Sequence, residues 1–249
     1  MTQKNWNNTI GGLIAIVIIS LWIASLVVLL PIDLGEINWG WIFLGIFGRT
    51  FIQTGLFILA HDAMHQSLLP SHPNWNDRVG ALSLSLYACL PYRICRSNHA
   101  KHHQHPAQTG DPDFHDGTHT HPLQWYLKFM REYLSPQQCT LLITVICGVG
   151  SIAMGIYHIF PLNLVLWWIL PLILSSIQLF IFGTYLPHRQ SEDSNTHRAH
   201  TINYPLCLSF LSCYHFGYHW EHHEYPRTPW YRIPAIYLKT RSFEQNMSK

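Results

Sequence analysis

The chain has 249 residues, of which 48% are hydrophobic and 14% aromatic, while only 11% carry a charge. A water-soluble domain carries roughly 25% charged residues, so the composition excludes an ordinary soluble protein and makes a lipid bilayer the expected solvent. A net charge of +2 also excludes the broad basic field that nucleic acid selects, and no nucleic-acid partner is expected.

Residues 10–30, IGGLIAIVIISLWIASLVVLL, are free of charge and match the roughly 20 residues a helix needs to cross the hydrocarbon core. The run exceeds the roughly 7–15 residues of a signal-peptide core and no A-x-A site follows it, so it reads as a retained first span. A second span is predicted over 39–60, with Arg49 in its middle. An ionisable group at that depth is either a functional in-membrane polar site or a structural one paired with bundle groups such as Gln53. The run 79–91 is too short to cross and reads as an interfacial or buried helix, as does 205–213. Third and fourth spans are predicted over 140–160 and 163–187, the fourth with a kink permitted at Pro171.

Apart from Arg49, every Lys and Arg lies in the amino-terminal tail, in 61–139 or from 188 onward, and the connections 31–38 and 161–162 hold none. The positive-inside rule makes those three regions, and both termini, cytoplasmic. The expected fold is therefore an all-α integral membrane protein. Four transmembrane helices form two hairpins, and 61–139 and 188–249 build a cytoplasmic helical cap. No repeat or linker divides the chain, so residues 1–249 read as a single domain. The six cysteines form no C-x-x-C pair, which leaves disulfides and zinc knuckles without support and small buried apolar positions as the expected role.

Three histidine clusters fall on the cytoplasmic side: HDAMH at 61–65, NHAKHHQHP at 98–106 and HWEHHEYP at 219–226. If the second span continues through HDAMH, His61 and His65 stand at i and i+4 on one helical face; His99, His102 and His103 share a face at i, i+3, i+4, as do His219, His222 and His223. Eight converging imidazoles exceed what one ion accepts, so the count favours two. Neutral imidazole suits iron, copper, zinc or nickel and not hard cations. HDAMH has Asp62 where a zinc protease needs its glutamate. The other histidines (72, 105, 115, 119, 121, 158, 197 and 200) lack matching geometry and read as loop or supporting positions. His158 falls at the far side of the membrane. Among the flanking carboxylates, Asp62 and Asp113 are favoured to orient imidazoles; for Asp111, Glu221 and Glu224, solvation is an equal reading.

With these motifs the chain resembles the membrane-bound, non-haem di-iron oxygenase and desaturase superfamily. SNHAKHHQHP with the downstream GDPDFH at 110–115, and YHFGYHWEHHEYPRTPWYRIP at 214–234, resemble the bacterial and cyanobacterial type of carotenoid ketolase within it. The resemblance implies two iron ions, O2 as co-substrate, an external electron donor such as reduced ferredoxin, and oxidation of beta-carotene at ring carbon 4 to echinenone and canthaxanthin. Hydroxylated carotenoids are a further implied substrate class. It implies a ninth ligand from the end of the fourth span, His188 in GTYLPHR, with His215 as the rival. Thr184 stands where related desaturases place an Asn that partners the metal through water. Arg93, Arg96, Lys101 and Arg189 would meet an acidic donor or phospholipid headgroups. A fatty-acyl desaturase or a carotenoid ring hydroxylase would use the same boxes. A histidine-lined metal transporter needs ligands along its spans, whereas these clusters lie at span ends or outside.

Overall fold

The computed structural model describes residues 3–115, 117, 120–190 and 196–247. Among them there is no β-strand, only one antiparallel bridge between Thr201 and Tyr218. Four helices are long and apolar enough to cross a membrane. Helix α1, Gln3–Leu29, begins before the apolar run because the polar turn holding Asn7 and Asn8 is helical as well. Helix α2, Trp39–Met64, starts at Asn38, whose side chain accepts the Gly40 N–H, and it runs past the expected end at 60. The helical register of the span is thereby carried through HDAMH, with His65 as the C-cap.

The short apolar run becomes α3, Pro73–Ala88, closed by Cys89 in the left-handed region, and α4, Tyr92–Gln104, follows directly. Helix α3 lies very close to α2. A Cβ on Gly80 would stand 2.5 Å from the Tyr92 ring and 2.7 Å from Ala63, so only glycine fits. Asn76 adds a hydrogen bond to the Ala63 carbonyl at 2.7 Å. Helix α5, Pro122–Tyr133, precedes the third long helix, α6, Pro136–Tyr157, which presents Ile143, Ile152 and Ile156 outward. A run of exposed aliphatic side chains is what a lipid-facing helix shows.

The fourth long helix, α7, covers Pro161–His188 and contains two π-turns, at Val165–Ile169 and Ile181–Tyr185. Pro171 has no N–H to offer the Trp167 carbonyl one turn back. That carbonyl instead accepts from Arg49 Nε at 2.9 Å. Arg49 is buried and also donates to the Trp22 carbonyl at 3.0 Å and to Ser25 Oγ at 2.7 Å, so one guanidinium ties α1, α2 and α7 together. Gln53 does not pair with it. It accepts from Trp22 Nε1 and donates to the Tyr87 carbonyl.

The chain closes with α8, Leu206–Cys213, α9, His219–Glu224, and α10, Ile233–Met247. Leu56, Ile58, Leu59, Ala60 and Ala63 of α2 are fully buried and form the centre of the main core. All six cysteines are free; Cys95 and Cys213 fill that core, while Cys147 and Cys207 are exposed, so the buried role holds for only part of the set.

Candidate metal centre

The carboxyl-terminal parts of α2, α4 and α7 and the short helix α9 bring nine imidazoles together in two groups. His61, His65, His99, His103 and His222 form one, and His102, His188, His219 and His223 the other; within each, one nitrogen per ring lies within 4.8 Å of the rest. Each HxxHH motif divides between the groups instead of serving one point. On α4, His99 and His103 go to the five-histidine group and His102 to the other. On α9 the i, i+4 pair His219 and His223 goes to the four-histidine group and His222 to the other. Helical geometry explains the division: residues four apart project about 40° from each other, whereas the residue three along leans to the opposite side of the first. Two such helices facing each other therefore clasp two points.

The nitrogens approach as ligands would. His65 Nε2 lies 2.7 Å from His99 Nε2, His103 Nε2 3.0 Å from His222 Nε2, and His223 Nε2 3.1 Å from both His102 Nε2 and His219 Nε2. Two of the rings have a fixed tautomer. His188 Nδ1–H donates to the Arg198 carbonyl at 2.8 Å, leaving Nε2 buried with no hydrogen-bond partner. His102 Nδ1–H donates to Asp111 at 2.9 Å. In both, the Nε2 lone pair is turned into the four-histidine group. Both nitrogens of buried His61 lack partners as well. Buried acceptors without donors are costly, and each of these all-nitrogen donor sets suits a transition-metal ion.

Burial, reinforced by mutual repulsion among the imidazoles, pushes His99, His103, His219, His222 and His223 well below their ordinary range, so all five are held neutral. His102 moves the other way. Burial opposes its charge, but the carboxylates of Asp113 and Asp111 outweigh it.

The carboxylates differ from one another. Asp111, which the sequence left between support and solvation, is buried and accepts from His102 Nδ1, from the Ala107 N–H and from the Asp113 N–H. The missed signal was the DPD turn, in which an aspartate side chain accepts the amide two residues on. Asp113 is buried, accepts the Tyr133 O–H in a 2.5 Å hydrogen bond and lies 3.9 Å from His102 Nδ1; burial and then repulsion from Asp111 push its carboxyl up to about 6. Asp62 accepts the Trp230 N–H at 3.2 Å and stands 3.8 Å from His61 Nδ1. Glu221 is buried and accepts from the Thr201 hydroxyl. Glu224 meets His197 Nε2 at 2.7 Å.

His215 belongs to neither group: its ring stacks on Tyr218, with Nδ1 beside Ser209 Oγ at 3.2 Å. His72, His105, His121 and His158 cap helix ends, His115 packs on Trp125, and His200 Nε2 meets the Gln190 carbonyl. His197 is closest to the centre, 6.0 Å from the His223 ring. His119 lies outside the described residues.

An apolar cavity of about 210 Å³ reaches this centre. His61, His99, His102 and His219 form part of its wall, Thr184 and Asp113 stand beside them, and Phe57, Leu90, Leu172 and Leu179 line the remainder. A pocket with so apolar a wall suits an apolar ligand.

The sequence profile of the family described as fatty acid desaturase matches residues 37–146 and 117–246. A beta-carotene ketolase of Paracoccus sp. (strain N81106 / MBIC 01143) is 42% identical over 77% of this chain and 77% of its own. A beta-carotene ketolase of Haematococcus lacustris is 38% identical over 74% of this chain and 58% of its own. A zeaxanthin 4-ketolase of Chlamydomonas reinhardtii is 35% identical over 90% of this chain and 53% of its own. No solved structure matches the chain.

Proposed function

The chain belongs to the fatty acid desaturase family, and on that premise we propose that it is a carotenoid ketolase, an oxidoreductase that installs a carbonyl at ring carbon 4 of beta-carotene. The observation that carries the reading is the coincidence of nine converging imidazoles with an apolar cavity whose wall four of them, His61, His99, His102 and His219, help to form. In this reading the five-histidine and four-histidine groups each hold one iron ion, O2 is the co-substrate and an acidic carrier such as reduced ferredoxin supplies electrons.

When bound, the ions would activate O2, the oxidant, with electrons from the donor, for insertion of one oxygen atom into a C–H bond while the other leaves as water. The protein does the rest. His188 and His102 are locked with Nε2 inward by the Arg198 carbonyl and Asp111, so the ligand set is pre-oriented. The hydrocarbon wall dissolves a cyclohexenyl ring and presents one edge to the histidines. Carbon 4 is allylic to the polyene, so its C–H bond is the weakest on that edge. Two successive hydroxylations there give a geminal diol, and loss of one water leaves the ketone.

The whole chain acts as one domain in this proposal. Its long helices pair as two hairpins, and α3, α4, α5, α8, α9 and α10 form a cytoplasmic cap that holds the site at the membrane border, where lipid-dissolved substrate and soluble donor meet. Arg96 is already bridged to Asp77 at 3.0 Å, which leaves Arg93, Lys101 and Arg189 as the basic groups for donor docking.

Pigment extraction from beta-carotene-producing cells that express the chain tests the reading: echinenone and canthaxanthin are expected, together with close to two irons per purified chain. Ring-carbon-3 alcohols alone would instead identify a ring hydroxylase, and unchanged beta-carotene beside newly unsaturated fatty acids would identify an acyl desaturase.

A further inference from the structure

Oxidation at one carbon twice in succession poses a retention problem. The first product is an alcohol, and it must stay in place, or return, before the second oxidation can occur. Nothing in an apolar wall distinguishes that alcohol from the hydrocarbon it came from.

The cavity wall is not uniformly apolar. Asp113 and Tyr133 line it close to His102, and the pair is tightly built. The Tyr133 hydroxyl donates to Asp113 Oδ1 at 2.5 Å. The Asp113 backbone carbonyl accepts Trp125 Nε1–H at 2.8 Å, and Lys128 Nζ donates to the neighbouring carbonyls of Asp111 and Pro112 at 3.1 Å. A tyrosine hydroxyl has one proton and two lone pairs. Here the O–H is committed to a hydrogen bond with Asp113, so the Tyr133 oxygen is left as an acceptor, next to a carboxylate that accepts as well. The wall at this point offers acceptors and no donor.

We propose that Tyr133, held by Asp113, is a specificity-determining residue that retains the ring-carbon-4 alcohol by accepting its O–H. The chemistry separates all three species that pass through the site. Beta-carotene has no polar hydrogen and gains nothing. The alcohol has an O–H and is held. The ketone has only lone pairs, gains no hydrogen bond from Tyr133 or Asp113, and leaves. No redox step is added, because the inference concerns binding alone, and it rests on the ketolase reading above.

The test uses the full chain with its metals, the same electron donor throughout, and beta-carotene or 4-hydroxy-beta-carotene as substrate. A hydrogen bond of this kind is worth about three- to tenfold in affinity, so the wild-type KM for the alcohol should be lower than that for beta-carotene by that factor. Tyr133→Phe should erase the difference and raise the alcohol-to-ketone ratio formed from beta-carotene by a similar factor, whatever its total turnover. An unchanged product ratio in Tyr133→Phe overturns the proposal. So does a wild-type KM for the alcohol equal to or above that for beta-carotene, a measurement that stands even if the variant does not fold. A wild type that makes ketone without favouring the alcohol defeats this inference only; one that makes no ketone defeats the ketolase reading, and this inference with it.

Discussion

Replacing Asp111 by Asn should cost one metal ion and spare the other. Asp111 Oδ1 accepts the Asp113 N–H and Oδ2 the Ala107 N–H, each at 2.8 Å, while His102 Nδ1–H lies 3.0 and 2.9 Å from the two oxygens. Both oxygens are thus committed to N–H donors in a buried place. Asparagine keeps the shape but turns one oxygen into an NH2 group, which then faces a backbone N–H whichever way the amide is placed. A hydrogen bond to a charged acceptor contributes about 1.5–3 kcal/mol, and loss of such support to a metal-binding histidine weakens metal affinity by about ten- to a hundredfold. His102 belongs only to the four-histidine group, so the loss should be confined to that site. Metal analysis of purified Asp111→Asn after a chelator challenge should show occupancy falling from two ions per chain toward one, with thermal unfolding confirming that the chain remains folded. Retention of both ions would refute the orienting role of Asp111, and equal loss of both would refute the independence of the two groups.

Arg49→Met removes the donor that occupies the Trp167 carbonyl; leaving that buried acceptor unsatisfied costs about 1–3 kcal/mol, so the variant should melt several degrees lower while its folded fraction keeps its metal, and an unchanged melting temperature would count against the three-helix tie. For the metal-free protein, His99, His103, His219, His222 and His223 sit well below their ordinary value of 6.5. The unfolded chain therefore takes up protons below that pH and the folded one does not. Stability is then full above 6.5 and lost on acidification, and tryptophan fluorescence melts between pH 7.5 and 5 should show this fall; a rise on acidification would contradict the burial of these rings. Tags at both ends should be reached only from the cytoplasm, and labelling of either from outside would overturn the proposed sidedness.

The spans were legible because hydropathy and length alone set them, and the helical spacing of the clusters was legible because α2 keeps its register past residue 60 into HDAMH. Other features depend on contacts between segments distant in sequence. Arg49 was an open question in the sequence because its partners, Trp22 and Trp167, are side by side only after α1 and α7 pack on α2, and because the acceptor it satisfies exists only where Pro171 has removed a donor. Tyr133 shares this character, since it meets Asp113 from twenty positions away, whereas Asp111 is fixed by a local turn that the DPD motif does record.

The division of the HxxHH motifs shows why a histidine count can indicate two ions without assigning their ligands. A single motif is compatible with one centre or two, because the i+3 side chain leans away from the i, i+4 pair by an amount that a lone helix does not use. Only when α4 and α9 face each other does the odd histidine of each, His102 and His222, fall beside the pair of the other helix. Each group thereby draws on both helices, and α2 and the end of α7 each complete one group, His61 and His65 on one side and His188 on the other. The consequence is mechanical as well as chemical: each group of imidazoles is complete only while α4 and α9 are docked against each other.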